Sequence, residues 1–188
     1  MITVINKTIL DKLAAAEASS GAKVHESGEL PVSAIVFSPE LLESCASNVC
    51  GHYNTSWTCP PNSGTLEGQK ALINKYTNAF VFTTRHILED SFDYEGMTIG
   101  KDLHTLLTLE LKTMLGGGVP VYGAGSCPIC RDKEGNIHCA FPNPCPTPDK
   151  RIGSIEAAGI NVTLLSKSAG VTYNNGPNTV TYFSMILY

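Results

Sequence analysis

Apolar residues recur at helical or strand spacing along most of this chain and thin out only in two stretches that carry its cysteines. Over 7–19 the composition is helix-forming, with Leu10, Leu13 and Ala14 on one face and Gly21 placed to end the helix. A short, partly β-branched run over 32–37 lies between Pro31 and Pro39 and predicts a buried strand. Ser38 or Pro39 starts a helix through Leu42 that delivers Cys45 at its end. Gly, Asn, Ser and Pro crowd 50–64, which reads as an ordered loop. Thr65 caps the next helix, with Glu67 in its first turn and Leu66, Leu72, Ile73 and Tyr76 as its apolar face.

Residues 79–84 follow as a second strand. Over 98–115, Leu103, Leu106, Leu107, Leu111 and Met114 keep helical spacing until Gly116, Gly117 and Gly118 stop the helix, so this stripe reads as core. Residues 119–122 make a third strand, and Gly123-Ala124-Gly125-Ser126 leads from it into Cys127. The glycines let backbone amides approach the sulfurs of a metal centre. A phosphate-binding reading is weak, because the glycine pattern is incomplete and no helix follows. Short helices are expected over 154–158 and, capped by Asn161, over 162–169. Asn174-Asn175-Gly176 is a turn signal, and 179–188 reads as the last strand.

Helices thus alternate with strands near residues 32, 79, 119 and 180. The fold class is α/β: a small mixed sheet of about four strands faced by helices, with cysteine-rich loops. The first three strands, separated by helices, are expected to run parallel, and the last antiparallel. Both cysteine groups follow strands, so they are expected to converge on one side of the sheet, where such folds place their chemistry.

At 188 residues and 43% apolar content, 1–188 is expected to form one cysteine-rich domain. A formal net charge of -4 argues against a nucleic-acid partner. Lys7, Asp11 and Lys12 break up the apolar N-terminal residues, so no signal-peptide core is present there, and no apolar run approaches the ~20 residues of a membrane span. The expectation is a cytoplasmic protein with no membrane partner.

The seven cysteines read Cys45-x4-Cys50-x8-Cys59-Pro60-Pro61 and Cys127-Pro128-x-Cys130-x8-Cys139-x5-Cys145-Pro146. Cys127, Cys130, Cys139 and Cys145 can meet round one centre at small loop-closure cost and fully ligate a [4Fe-4S] cluster suited to electron transfer. Zinc in sulfur coordination has the same needs. Prolines directly after Cys59, Cys127 and Cys145, as in the bacterial ferredoxin run, favour iron-sulfur. A disulfide framework suits shorter secreted chains, and an odd number of cysteines cannot pair completely. Arg131, Lys133, Lys150 and Arg151, beside the second group, read as solvated residues rather than as a screen for cluster charge.

Cys45, Cys50 and Cys59 repeat the x8 spacing but supply only three thiolates, so they are expected to hold a second cluster with one iron open to act as a Lewis acid. His52 or a water is a candidate for the open position, and His138 is a substitute ligand in the second group. Tyr53 and Trp57 read as packing their loop rather than as stacking on a substrate. Nothing separates Glu67, Arg85, His86, Glu110 or Glu156 from surface or capping residues, so no catalytic residue is assigned.

The pattern Cys45-x4-Cys50-Gly51-x-Tyr53-x3-Trp57-x-Cys59-Pro60-Pro61, followed by Gly64 and Glu67, resembles the first signature of the uncharacterised prokaryotic predicted metal-binding proteins. Gly123-Ala124-Gly125-x-Cys127-x2-Cys130, Cys139, Pro144-Cys145, Ser154-x-Glu156-Ala157-x-Gly159-Ile160 and Asn175-Gly176-x2-Thr179-Val180-Thr181-Tyr182 carry the resemblance through the second half. The resemblance implies metal binding through these cysteines in a cytoplasmic protein common among anaerobes, and implies no particular reaction.

The expected function is that of an iron-sulfur accessory protein, redox or metal-dependent, docking with an enzyme or redox partner in an anaerobic-type pathway. Two alternatives stand beside it: a small enzyme that activates a substrate on the open iron, and a structural zinc protein. A pocket at the three-cysteine group, lined by side chains able to fix a ligand, is the feature that favours the enzyme.

Overall fold

The computed structural model describes residues 4–116 and 118–188, so Gly117 of the expected glycine stop lies outside the described residues. Among the described residues five strands form one sheet in the order β1-β2-β5-β3-β4: β1 Glu26–Pro31, β2 Asn78–Ile87, β3 Val121–Gly123, β4 Gly153–Ser154 and β5 Thr179–Leu187. The sheet is mixed, as expected. β2 and β3 run parallel to each other and β5, which stands between them, is antiparallel to both, as expected; β1 departs from the expected parallel set, because it is antiparallel to β2. Among the described residues, only β3 and β4 pair in parallel.

Both faces are covered, and the strand period shows which residues go where. On β2, Ala79 and Val81 join one core and Phe80 and Phe82 the other, because successive side chains point to opposite faces. The first core takes Ile73 from α3 (Leu66–Ile73) and Leu165 from α5 (Val162–Ala169). The second takes Ile9, Leu13 and Ala16 from α1 (Val4–Ser20), with Leu107 and Leu111 from α4 (Tyr94–Leu115). Each fully buried aliphatic or aromatic side chain contributes roughly 1.5–3 kcal/mol of transfer free energy. Of the expected helical stripes, Leu10, Ala14, Leu72 and Leu106 are exposed, and on α1 the buried face runs through Ile9, Leu13 and Ala16 instead.

Two expected elements are replaced. The strand over 32–37 is a 3-10 turn, Val32–Ala34, followed by a single bridge from Phe37 to Ile160. The edge strand lies just before it, in Glu-Ser-Gly-Glu-Leu-Pro, where alternate residues face solvent and only Leu30 is fully buried. Gly28 is required there, since a Cβ would collide with the Ala169 carbonyl at the end of α5. The helix over 154–158 is also absent. Gly153–Ser154 pairs with β3 and the Ile155 amide still bonds to the Gly123 carbonyl, so the sheet claims the segment before a helix can form. Gly159, at φ +76°, then ends the tight turn that follows.

The other capping expectations hold. Thr65 accepts from the Gly68 amide and Asn161 from the Leu164 amide. α4 begins four residues before the expected start because Asp93 accepts from the Gly96 amide. No helix among the described residues is long and apolar enough to cross a membrane.

A polar chain runs through the second core. His104 Nδ1 is 2.9 Å from Thr84 Oγ1, and Nε2 is 2.9 Å from Ser184 Oγ, which in turn meets Thr108 Oγ1 at 2.9 Å. His86 Nε2 also reaches Thr84 Oγ1, at 3.0 Å. Burial, with a smaller push from His86 and against the Phe183 backbone, lowers the His104 pKa to about 3. Its partners are hydroxyls, none of which can offset a buried positive charge, so the imidazole is neutral near pH 7.

Candidate metal centre

The first cysteine loop is built by helix-end and turn chemistry. Pro39 caps α2 (Glu40–Ala46), whose last turn carries Cys45. The Cys45 carbonyl accepts from the Asn48 amide, and the Asn48 side chain accepts from the Tyr53 amide at 3.0 Å. Asn48, Gly51 and Asn54 all take positive φ, which lets the chain double back within a few residues. The Asn54 amide reaches the Pro60 carbonyl, and the Ser63 amide the Cys59 carbonyl, so Cys59 is enclosed while Cys50 stays exposed.

In the second loop a hairpin closes the x8 spacing. Arg131 bridges Ile137, the His138 amide donates to the Cys130 carbonyl at 2.9 Å, and Asp132 accepts from the Glu134 and Asn136 amides at the turn. Arg131 also pairs with Asp102 of α4, which anchors the hairpin to the helix. Arg131, Lys133, Lys150 and Arg151 are exposed.

The two loops meet. The Trp57 indole packs edge-on against Phe141 with ring centroids 4.9 Å apart, and its Nε1 donates to the Asn143 carbonyl at 2.9 Å. The Cys127 amide donates to Thr58 Oγ1 at 3.1 Å. Trp57 therefore joins one cysteine loop to the other, a larger role than packing its own loop.

All seven cysteines are free thiols. Burial, then the charges of Cys50 and Glu156, raise the Cys45 pKa. Burial and Cys50, opposed by the Ser56 and Thr58 hydroxyls, raise Cys59 to about 11. Burial raises Cys127, assisted by Cys130 and Cys145 and opposed by the Ile152 and Ile129 amides. Cys139 is lowered: burial is outweighed by the amides of Trp57, Phe141 and Ala140 and by the Ser56 hydroxyl. The Trp57 and Ser56 donors come from the first loop. The Gly123 to Ser126 segment, expected to supply such amides, instead gives its Ala124 amide to the Phe183 carbonyl and its Gly125 amide to Glu156.

Among the described residues no three His, Cys, Asp or Glu side chains stand close enough to hold a single metal ion. The thiols are close enough, however, for their charges to repel within each group. Such a set fits a metal centre, since a bound cation removes the mutual repulsion and deprotonates its ligands outright.

A cavity of about 540 Å³ opens on the first group, with Cys45, Cys50 and Cys59 all in its wall. Gly125 and Ser126, which follow β3, and Glu156, which follows β4, form the opposite side, beyond the carboxyl ends of the one parallel strand pair. Ser44, His52, Tyr53, Lys101 and Ser154 add further polar groups to the lining. Glu156 is fixed by the Gly125 amide at 2.9 Å and the Ser154 hydroxyl at 3.2 Å. A second cavity of about 500 Å³ lies between the loops and is lined by His52, Ser56, His138 and Cys139. Glu67, Arg85 and Glu110 line neither cavity, and His86 belongs to the Thr84 and His104 chain. Lys101 escaped the sequence reading because a lysine on an amphipathic helix looks like any solvated residue, and only the tertiary fold turns it inward.

Two thiol-rich loops joined face to face on a mixed sheet define a cysteine-rich α/β protein of the metal-binding kind. Residues 28–188 match the DUF2284 family of predicted metal-binding proteins, and the chain belongs to that family. No curated protein and no solved structure matches it.

Proposed function

We propose that this chain is an iron-sulfur protein with two thiolate-bound centres, and that it acts as a small enzyme at the open one. In this reading Cys127, Cys130, Cys139 and Cys145 hold a fully ligated [4Fe-4S] cluster, while Cys45, Cys50 and Cys59 hold a second cluster through three thiolates. When bound, the first supplies one-electron transfer and the second a Lewis-acidic iron. The cavity that contains all three cysteines of the first group carries the proposal, because a site serving electron transfer alone has no need of one.

The protein's own residues shape that space. Tyr53 and Pro60 give it apolar walls, Glu156 is held as a fixed acceptor, and Lys101 presents a cation. Trp57 and Ser56 aim donors at Cys139, so the closed group is held by residues of the open one. Prolines directly after Cys59, Cys127 and Cys145, as in the bacterial ferredoxin run, favour a cluster over zinc. An accessory redox role remains compatible with the four-cysteine group, which would exchange electrons with a partner protein in the cytoplasm.

Cyanide distinguishes an open from a sealed centre. Added to anaerobically reconstituted protein, it is expected to shift the visible spectrum of one centre only, and Cys50→Ser should abolish the shift. A spectrum indifferent to cyanide, or a response that survives Cys50→Ser, contradicts an open site at the first group.

A further inference from the structure

Lys101 is a half-buried cation with no counter-ion of its own. Its neighbour Asp102 is taken by Arg131, and among the described residues no carboxylate or carbonyl stands within hydrogen-bonding distance of the Lys101 ammonium. Burial and the Arg131 charge lower its pKa against the attraction of Asp102. An ammonium in such a place gains from any anion that reaches it, because the desolvation cost is already present in the folded chain.

Lys101 and Ser126 line both the 540 Å³ cavity and a small void of about 30 Å³ beside His104, so the two share the wall between these spaces. Ser126 is 8% exposed and its hydroxyl has no hydrogen-bond partner, which leaves a buried donor facing the same space. Val49, 92% exposed, stands at the mouth, with Leu41, Tyr53, Pro60 and Ala157 along the walls.

The charges restrict what fits. The lining holds one lysine, Lys101, and one carboxylate, Glu156, and the cysteines add negative charge when ionised. A phosphate or a dicarboxylate would bring a second negative charge into repulsion with Glu156. A single carboxylate can instead place its two oxygens on the Lys101 ammonium and the Ser126 hydroxyl, with an apolar body lying along Ala157 and Pro60 towards Val49.

We infer that the three-cysteine cavity binds a small monocarboxylic acid with an apolar body, its carboxylate on Lys101 and Ser126. The inference rests on Cys45, Cys50 and Cys59 framing an open site and adds the class of substrate that enters it.

Hexanoate and its neutral counterpart hexanamide test it by calorimetric titration of anaerobically reconstituted protein. Wild type is expected to bind hexanoate at least about tenfold more tightly than hexanamide. Lys101→Gln, which keeps the length and loses the charge, should remove that preference, Lys101→Arg should restore most of it, and Ser126→Ala should weaken hexanoate binding several-fold. Equal hexanoate affinity in wild type and Lys101→Gln overturns the inference, as does absence of hexanoate binding by fully loaded wild type. Iron and sulfide counts on the same samples decide the cluster reading separately. A zinc protein that still prefers hexanoate through Lys101 keeps the anion site and loses the iron.

Discussion

Cys130→Ser is expected to lower metal content and thermal stability together. Between Cys127 and Pro148 the chain offers few apolar residues, and its order comes from local turns such as the Asp132 to Asn136 hairpin and from contacts at Trp57. Where a site is absent from the unfolded chain, metal-binding free energy becomes folding free energy. Loss of even ~3 kcal/mol moves the midpoint of a chain this size by about 6–12 °C. Anaerobic calorimetry with metal analysis on the same sample checks this. Full loading and an unchanged midpoint would remove Cys130 from the ligand set.

The second large effect is acid sensitivity that originates in the core. His104 has its folded pKa lowered to about 3, against an ordinary value of 6.5. Below 6.5 the unfolded chain therefore takes up a proton that the folded chain refuses. The stability contributed by neutral His104 is complete above that pH and declines as pH falls towards 3. By pH 5 the loss reaches about 2 kcal/mol. His86, lowered by burial, shifts stability in the same direction. Denaturant unfolding of the reduced, metal-free protein between pH 7 and 5 should show this slope, and His104→Gln should flatten it. An equal slope in the variant would place the acid sensitivity elsewhere.

The helices were legible because their signals are local. Asn161 and Thr65 cap where expected, and Leu107 and Leu111 lie at core spacing on α4. The last strand was legible as an apolar, β-branched run, and β2 likewise. β1 was not, because an edge strand with Ser27, Glu29 and Pro31 facing outward and only Leu30 fully buried lacks the apolar signal that marks a buried one. The apolar run after it serves the core from a turn instead. Pairing order also escaped, since β5 reaches its place between β2 and β3 from the far end of the chain.

At the site, cysteine spacing marked the two loops that the fold brings together. Their contact through Trp57 and Asn143 depends on residues 86 positions apart, which no local pattern encodes. The same holds for Lys101 and Ser126. Both have ordinary sequence surroundings, and only the fold brings them into the lining of one cavity.

Anaerobic reconstitution followed by iron and sulfide counting tests the central claim most directly. Two cubane centres predict a brown protein with close to eight irons and eight acid-labile sulfides per chain, roughly half of each remaining in Cys130→Ser. A colourless protein holding stoichiometric zinc after the same anaerobic handling would contradict it.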